Sequence, residues 1–219
     1  MTKRYGWTYR VLINHIENKS YEKFLLNQTN FEKTVPQQYK DQAKLAVKDE
    51  YVFDFLELGE EHTERELETA IVANMGKFLT QMGNDFAFMG NQYRLEVEGE
   101  EYFIDLLLFH RRLKSLIAVE LKIGKFKPEY AGKMNFYLSA LNDVVKLEDE
   151  KPSIGIIICK DKNRTVVEYS LRDSNKPIGV SSYHLLNRLP KELSDFLPSS
   201  EEIAKRLSVF DEKEVLDED

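Results

Sequence analysis

One cysteine in 219 residues, Cys159 inside IGIIICK, leaves no partner for an internal disulfide. That fits a reducing compartment, and the expectation is a cytoplasmic protein. No run of eighteen apolar residues occurs, which excludes a membrane-spanning helix of ordinary length. The opening MTKRYGWTYR lacks the apolar stretch of a signal peptide. Four histidines, His15, His62, His110 and His184, are scattered and follow no metal-ligand spacing. No internal repeat or low-complexity tract is found. Net positive charge is also missing: the formal charge is −7, against a chain coated for nucleic acid.

The charge is unevenly spread. DEKEVLDED at 211–219 holds six acids and one lysine, and so supplies −5 of the −7. Such a tail is expected to be disordered. Between His110 and Lys133 stand Arg111, Arg112, Lys114, Lys122, Lys125, Lys127 and Lys133 against Glu120 and Glu129, a local +5. A negatively charged partner is expected there.

With 42% hydrophobic residues, the chain can bury one sizeable core. Apolar spacing predicts a helix from Trp7 to about Gln28, and PQQYKDQAKLAVK a second with Pro36 in its first turn. A short apolar segment, DEYVFDFLEL, runs up to Gly59. HTERELETAIVANMGKFLTQMG reads as one helix, opened by a Thr63–Glu66 capping box and closed by Gly83. FAFMGNQYRLEVEG and EYFIDLLLFH read as a hairpin turning at Gly99–Glu100, followed by a third strand, SLIAVELK. A helix from about Tyr130 to Asn142 comes next. The continuous apolar run SIGIIIC reads as a strand covered on both faces. A helix near 163–172, a strand near Ile178–Ser182 and a terminal helix near 200–208 complete a mixed sheet between helices.

Strand alternation places Asp105 on one face with Phe103, Leu107 and Phe109, and Glu120 and Lys122 with Leu116 and Ala118. Charges on apolar faces need partners or a metal. Two readings stand side by side. Glu120 and Lys122 form a half-exposed ion pair while Asp105 accepts backbone hydrogen bonds. Or Asp105 and Glu120 sit on adjacent strands and share a divalent cation, magnesium by preference, with Lys122 stabilising developing charge. On the preceding helix Glu68 lies along an apolar side, whereas Glu64 is expected to face outward.

These residues, on an αβββαβ core, resemble the signature of the PD-(D/E)XK nuclease superfamily. Longer stretches, from FAFMGNQYRLEVEG through AGKMNFYLSALND and PSIGIIICKDKNRTVVEYSLRDSNKPIGVSSYHL, resemble the C-terminal nuclease domain of the YhcG-type family. The resemblance covers residues 49 to 200 and implies a restriction-endonuclease-like α/β fold. It further implies a metal-dependent endonuclease acting on DNA, linked to restriction or mobile elements. Asp105, Glu120 and Lys122 then match the catalytic motif and Glu68 the helix glutamate. Mg2+, or Mn2+, would be held by Asp105, Glu120, Glu68 and the backbone carbonyl of Leu121. Ile104 stands where many members of the superfamily have proline.

The resemblance also implies an order of segments. Residues 1–48 form a helical N-terminal segment, the end of a larger recognition domain; 49–208 form the nuclease domain; 209–219 form the tail. Gln92, Lys125, Lys127 and Lys133 are candidates for contacting nucleic acid; Tyr93, Asn135 and Tyr137 are weighed as near the site. A homodimer would place two sites on a duplex. The competing readings are a non-cleaving DNA-binding or protein-interaction module, and a nuclease that takes RNA.

Overall fold

A computed structural model describes residues 28–59 and 61–185. The helix expected over 7–27, the helix near 200–208, the tail and His15 lie outside the described residues. No helix among the described residues is long and apolar enough to cross a membrane.

The described chain opens with a short strand β1 (Gln28–Thr29), a helical turn α1 (Phe31–Thr34), a 3-10 turn (Gln37–Tyr39), helix α2 (Lys40–Ala46) and strand β2 (Glu50–Val52). The expected second helix is therefore split, with Pro36 ahead of its first turn. Phe31, Ala43 and Val47 share one core with Tyr51 and Leu67, on both sides of position 48.

Next come α3 (Glu64–Ala73) and α4 (Met75–Met82), where the sequence reads as one helix. The capping box is formed: Thr63 and Glu66 exchange side-chain and backbone hydrogen bonds. The break falls at Asn74, whose side-chain amide donates to the Ala70 carbonyl at 3.1 Å. That side chain competes for carbonyls the helix would use. Gly83 ends α4 at φ +130, a region L side chains avoid.

Strands β3 (Phe86–Val97), β4 (Glu100–His110) and β5 (Ser115–Lys125) form an antiparallel meander. The hairpin turns one residue earlier than expected. Val97 pairs with Glu100, and the turn residues are Glu98 (φ 51) and Gly99 (φ 81). Two positive φ angles in a two-residue turn match the twist of the strands. Helix α5 (Pro128–Ala140) runs on into a π-helical turn (Leu141–Val145) and leads to β6 (Lys151–Asp161). Helix α6 (Arg164–Arg172) and strand β7 (Ile178–His184) close the described chain.

The sheet has seven strands in the order β1-β7-β6-β5-β4-β3, with β2 also pairing β7. β5, β6 and β7 are parallel; β1 joins β7 antiparallel. With α3 and α4 as one broken helix, the order to β6 is α-β-β-β-α-β, the restriction-endonuclease-like core. One core layer packs α2, α3 and α4 on one face of the sheet; the other packs α5 and α6 on the opposite face. β6 is buried along Ser153–Cys159, as its uninterrupted apolar run requires.

Helix α5 crosses β6 where Gly155 has no side chain. A Cβ there would overlap the side chain of Met134, itself 1% exposed. Gly155→Val is expected to destabilise the protein by about 2 kcal/mol, seen as a lower urea midpoint. An unchanged midpoint would mean that α5 does not seat on this strand.

Candidate active site

The β4–β5 ladder runs from His110↔Ser115 to Leu106↔Val119. One more step of that register sets Asp105 opposite Glu120. The ladder stops there, and the Asp105 carboxylate fills the gap: its Oδ2 accepts the Leu121 backbone N–H at 2.7 Å. On the other side, the pairs Asn91↔Leu106 and Tyr93↔Ile104 set Gln92 opposite Asp105.

The strands distort at this level. β3 has a bulge between Phe88 and Gly90, and Gln92 has φ 43. A non-glycine residue in the left-handed region is uncommon, and with a bulge it re-aims side chains. Ile104 and Leu107, three residues apart, lie in the same core layer, so two-residue alternation slips between them. The single face expected for Phe103, Asp105, Leu107 and Phe109 is therefore corrected. Leu107 is buried under α5, while Phe103 is 41% exposed.

Glu120 is 1% exposed. Its Oε1 accepts from Lys133 Nζ at 2.6 Å and lies 3.0 Å from Lys122 Nζ. Its Oε2 is buried without a hydrogen-bond partner. Lys122 also donates to Glu64 Oε2 at 2.7 Å and lies 5.5 Å from the centre of the Tyr130 ring. Glu120 and Lys122 therefore pair, as the ion-pair reading has it, but both side chains are buried rather than half-exposed. Glu68, one helical turn from Glu64 on α3, accepts the amides of Asn91 (3.2 Å) and Gln92 (2.6 Å). The Gln92 amide lies 3.4 Å from Asp105 Oδ1 and so links Glu68 to Asp105.

Burial, then the negative charge of Glu120, pushes Asp105 up to about 6; the Leu121 N–H, Lys122 and Lys133 pull it back. For Lys122, burial favours the neutral amine, but Glu64 and Glu120 outweigh it and hold the ammonium above the usual lysine range. Lys133 shifts the same way: burial opposes, Glu120 prevails. Glu64, Glu68, Asp105 and Glu120 against Lys122 and Lys133 make a formal charge of −2, which a single divalent cation balances.

No group of three or more His, Cys, Asp or Glu among the described residues could hold a metal. The available donor set is two carboxylates plus backbone and water, a small set of the kind magnesium accepts. The partnerless Oε2 of Glu120, a residue on the strand position opposite Asp105, fits that set, because a desolvated carboxylate oxygen is costly to leave bare.

The remaining candidates separate. Lys133 joins the site. Lys125 (side chain 81% exposed) pairs with Asp161 and Lys127 (60%) with Glu129, on the surface beyond it. Tyr137 lies under Lys133 and donates to the Phe103 carbonyl at 2.6 Å. Tyr93 is partly buried against the α5 layer. Asn135 bonds Ser174 and Ala131. His110 is buried and accepts the Leu113 N–H. His62 contacts Tyr183, and His184 pairs with Glu50. Cys159 is core; burial pushes its thiol up to about 11. Sequence reasoning missed Asn91 and the ion pair of Glu64 with Lys122; the Glu64 side chain is 46% exposed, in keeping with the outward position expected. The spacing of Glu64 and Glu68, four residues apart on one helix, was the available signal.

A family model described as the YhcG PDDEXK nuclease domain matches residues 44–198. The Escherichia coli (strain K12) protein named "Putative nuclease YhcG" is 35% identical over 199 residues, covering 90% of this chain and 53% of that protein. The chain thus spans about half the length of this curated relative. Among solved structures, a repair endonuclease from Pyrococcus abyssi superposes with a TM-score of 0.37 at 13% identity, covering 58% of this chain and 48% of that one. The EndoMS-dsDNA2 complex gives 0.38 at 13%, covering 63% and 50%. The fold assignment rests on the topology above and on the family match.

The raised Asp105 carboxyl has a consequence for the metal-free protein. Between about pH 4 and 6 the unfolded chain releases a proton that the folded state retains. Stability therefore falls as pH rises through that window, by roughly 2 kcal/mol. Asp105→Asn keeps an acceptor for Leu121 and should flatten this slope in thermal melts run in chelator. A slope equal to wild type would refute the assignment to Asp105.

Proposed function

The chain belongs to the family of YhcG PDDEXK nuclease domains, and from that premise we propose that it hydrolyses DNA phosphodiester bonds with a divalent cation, magnesium in the cell. The observation that carries this reading is the buried, partnerless Oε2 of Glu120, on the strand position opposite Asp105. Asp105 and Glu120 would hold the cation, with the Leu121 carbonyl as a backbone donor. When bound, the cation would supply Lewis acidity and a more acidic water.

The chain's own groups then divide the work. Lys133 occupies Glu120 Oε1 and leaves Oε2 without a partner. Lys122, an ammonium held among carboxylates, orients the attacking water and stabilises negative charge growing on the phosphoryl oxygens. Glu68 sets the Gln92 amide against Asp105 and fixes the rotamer of that carboxylate. Gln92 is also near enough to the site to touch a scissile strand. Lys125 and Lys127 lie on the surface and would position the phosphate backbone without reading sequence. A homodimer would bring two such sites to a duplex.

Asp105→Ala and Lys122→Ala are each expected to abolish magnesium-dependent nicking of plasmid DNA, with DNA binding retained. Cleavage by either variant at the wild-type rate would sink this reading. The same assay on RNA of matched sequence should give no cleavage; faster cutting of RNA would reassign the substrate.

A further inference from the structure

The reading above uses Lys122 and gives no work to Glu64, the carboxylate it touches most closely. A lysine carries its charge on four rotatable bonds, so its position must be enforced. The other carboxylate within reach of Lys122 is the buried Glu120, 3.0 Å away. That carboxylate already has Lys133 on Oε1 at 2.6 Å, and its Oε2 is buried without a hydrogen-bond partner. Two ammonium groups on one oxygen repel each other. Left alone, Lys122 would relieve that repulsion by sliding onto Oε2, the position a cation would take.

Glu64 opposes that movement. It holds Lys122 Nζ at 2.7 Å, against 3.0 Å to Glu120, and the Tyr130 ring flanks the ammonium at 5.5 Å from its centre. Glu64 is itself well placed to act as an anchor. It is the first residue of α3 after the N-cap Thr63, where the helix dipole favours an anion. The Thr63–Glu66 capping box fixes that turn, and Leu67 and Ile71 behind it are fully buried. The helix does not need Glu64 to stay in place: cap and core already hold it, and the Glu64 side chain is 46% exposed.

We infer that Glu64 is a positioning residue that holds the Lys122 ammonium on the α3 side of the site and keeps it off the partnerless oxygen of Glu120. This rests on the role of Lys122 proposed above.

The test compares Glu64→Ala and Glu64→Gln with wild type and Lys122→Ala in the full chain. Glu64→Ala is expected to lower kcat for duplex cleavage by about tenfold or more, the scale of a misplaced group. KM should stay within about twofold, as for a change that leaves ground-state binding alone. Glu64→Gln keeps an acceptor for Lys122 and should recover most of the rate. A second measurement does not need turnover. In the metal-free protein, the Lys122 ammonium signal in 15N NMR, assigned by Lys122→Arg, should survive in Glu64→Gln and vanish into water exchange in Glu64→Ala. A kcat for Glu64→Ala within twofold of wild type, with Lys122→Ala inactive, overturns this inference and leaves the function standing. An ammonium signal that persists unchanged in Glu64→Ala overturns it as well. Full activity in Lys122→Ala overturns the proposed function and this inference with it.

Discussion

Two carboxylates at one level of two neighbouring strands, in a nearly dry layer, set the terms for everything around them. Burial, and then the negative charge of Glu120, disfavour the ionised form of Asp105. The protein answers from each side. From within the sheet comes the Leu121 N–H, from α5 comes Lys133, and from β5 itself comes Lys122. These offset much of the charge but leave one oxygen of Glu120 bare and the six-residue network at −2. A partly buried network left short of two positive charges is a poor stabilising device, and that shortfall is what the proposed divalent cation would make good.

The fold explains how those groups meet. The ladder between β4 and β5 ends just before Asp105, so that side chain can turn to the backbone it would otherwise have paired with. The bulge in β3 and the left-handed Gln92 aim an amide at Asp105 and Glu68 from the opposite side. Helix α3 brings two carboxylates four residues apart to the site, one for the lysine and one for the amides. Gly155 lets α5 seat on β6, and α5 carries Lys133. Backbone distortion, register and helix placement thus serve the same few side chains.

Much of this was legible in the sequence. The meander, the two-sided burial of β6 and the capping box are local patterns, and each formed as read. The opposition of Asp105 and Glu120 followed from consecutive strands, and the family from longer stretches. What escaped depends on non-local geometry. β1 and β2 are two and three residues long and exist only because β7 offers an edge. The helix break at Asn74 is a local backbone excursion, φ −114 and ψ 32, which apolar spacing does not register. Alternation fails at Asp105, opposite the left-handed Gln92 and next to the level of the β3 bulge, and the Lys122 partner of Glu64 lies 58 residues away.

The central claim is that Asp105 and the partnerless oxygen of Glu120 receive a divalent cation. The most direct measurement is a crystal soaked in Mn2+ and recorded at the manganese absorption edge. The account predicts one anomalous peak within coordinating distance of Asp105 and Glu120 Oε2, absent in Glu120→Gln. Full occupancy elsewhere, with Glu120 Oε2 still bare, would contradict it.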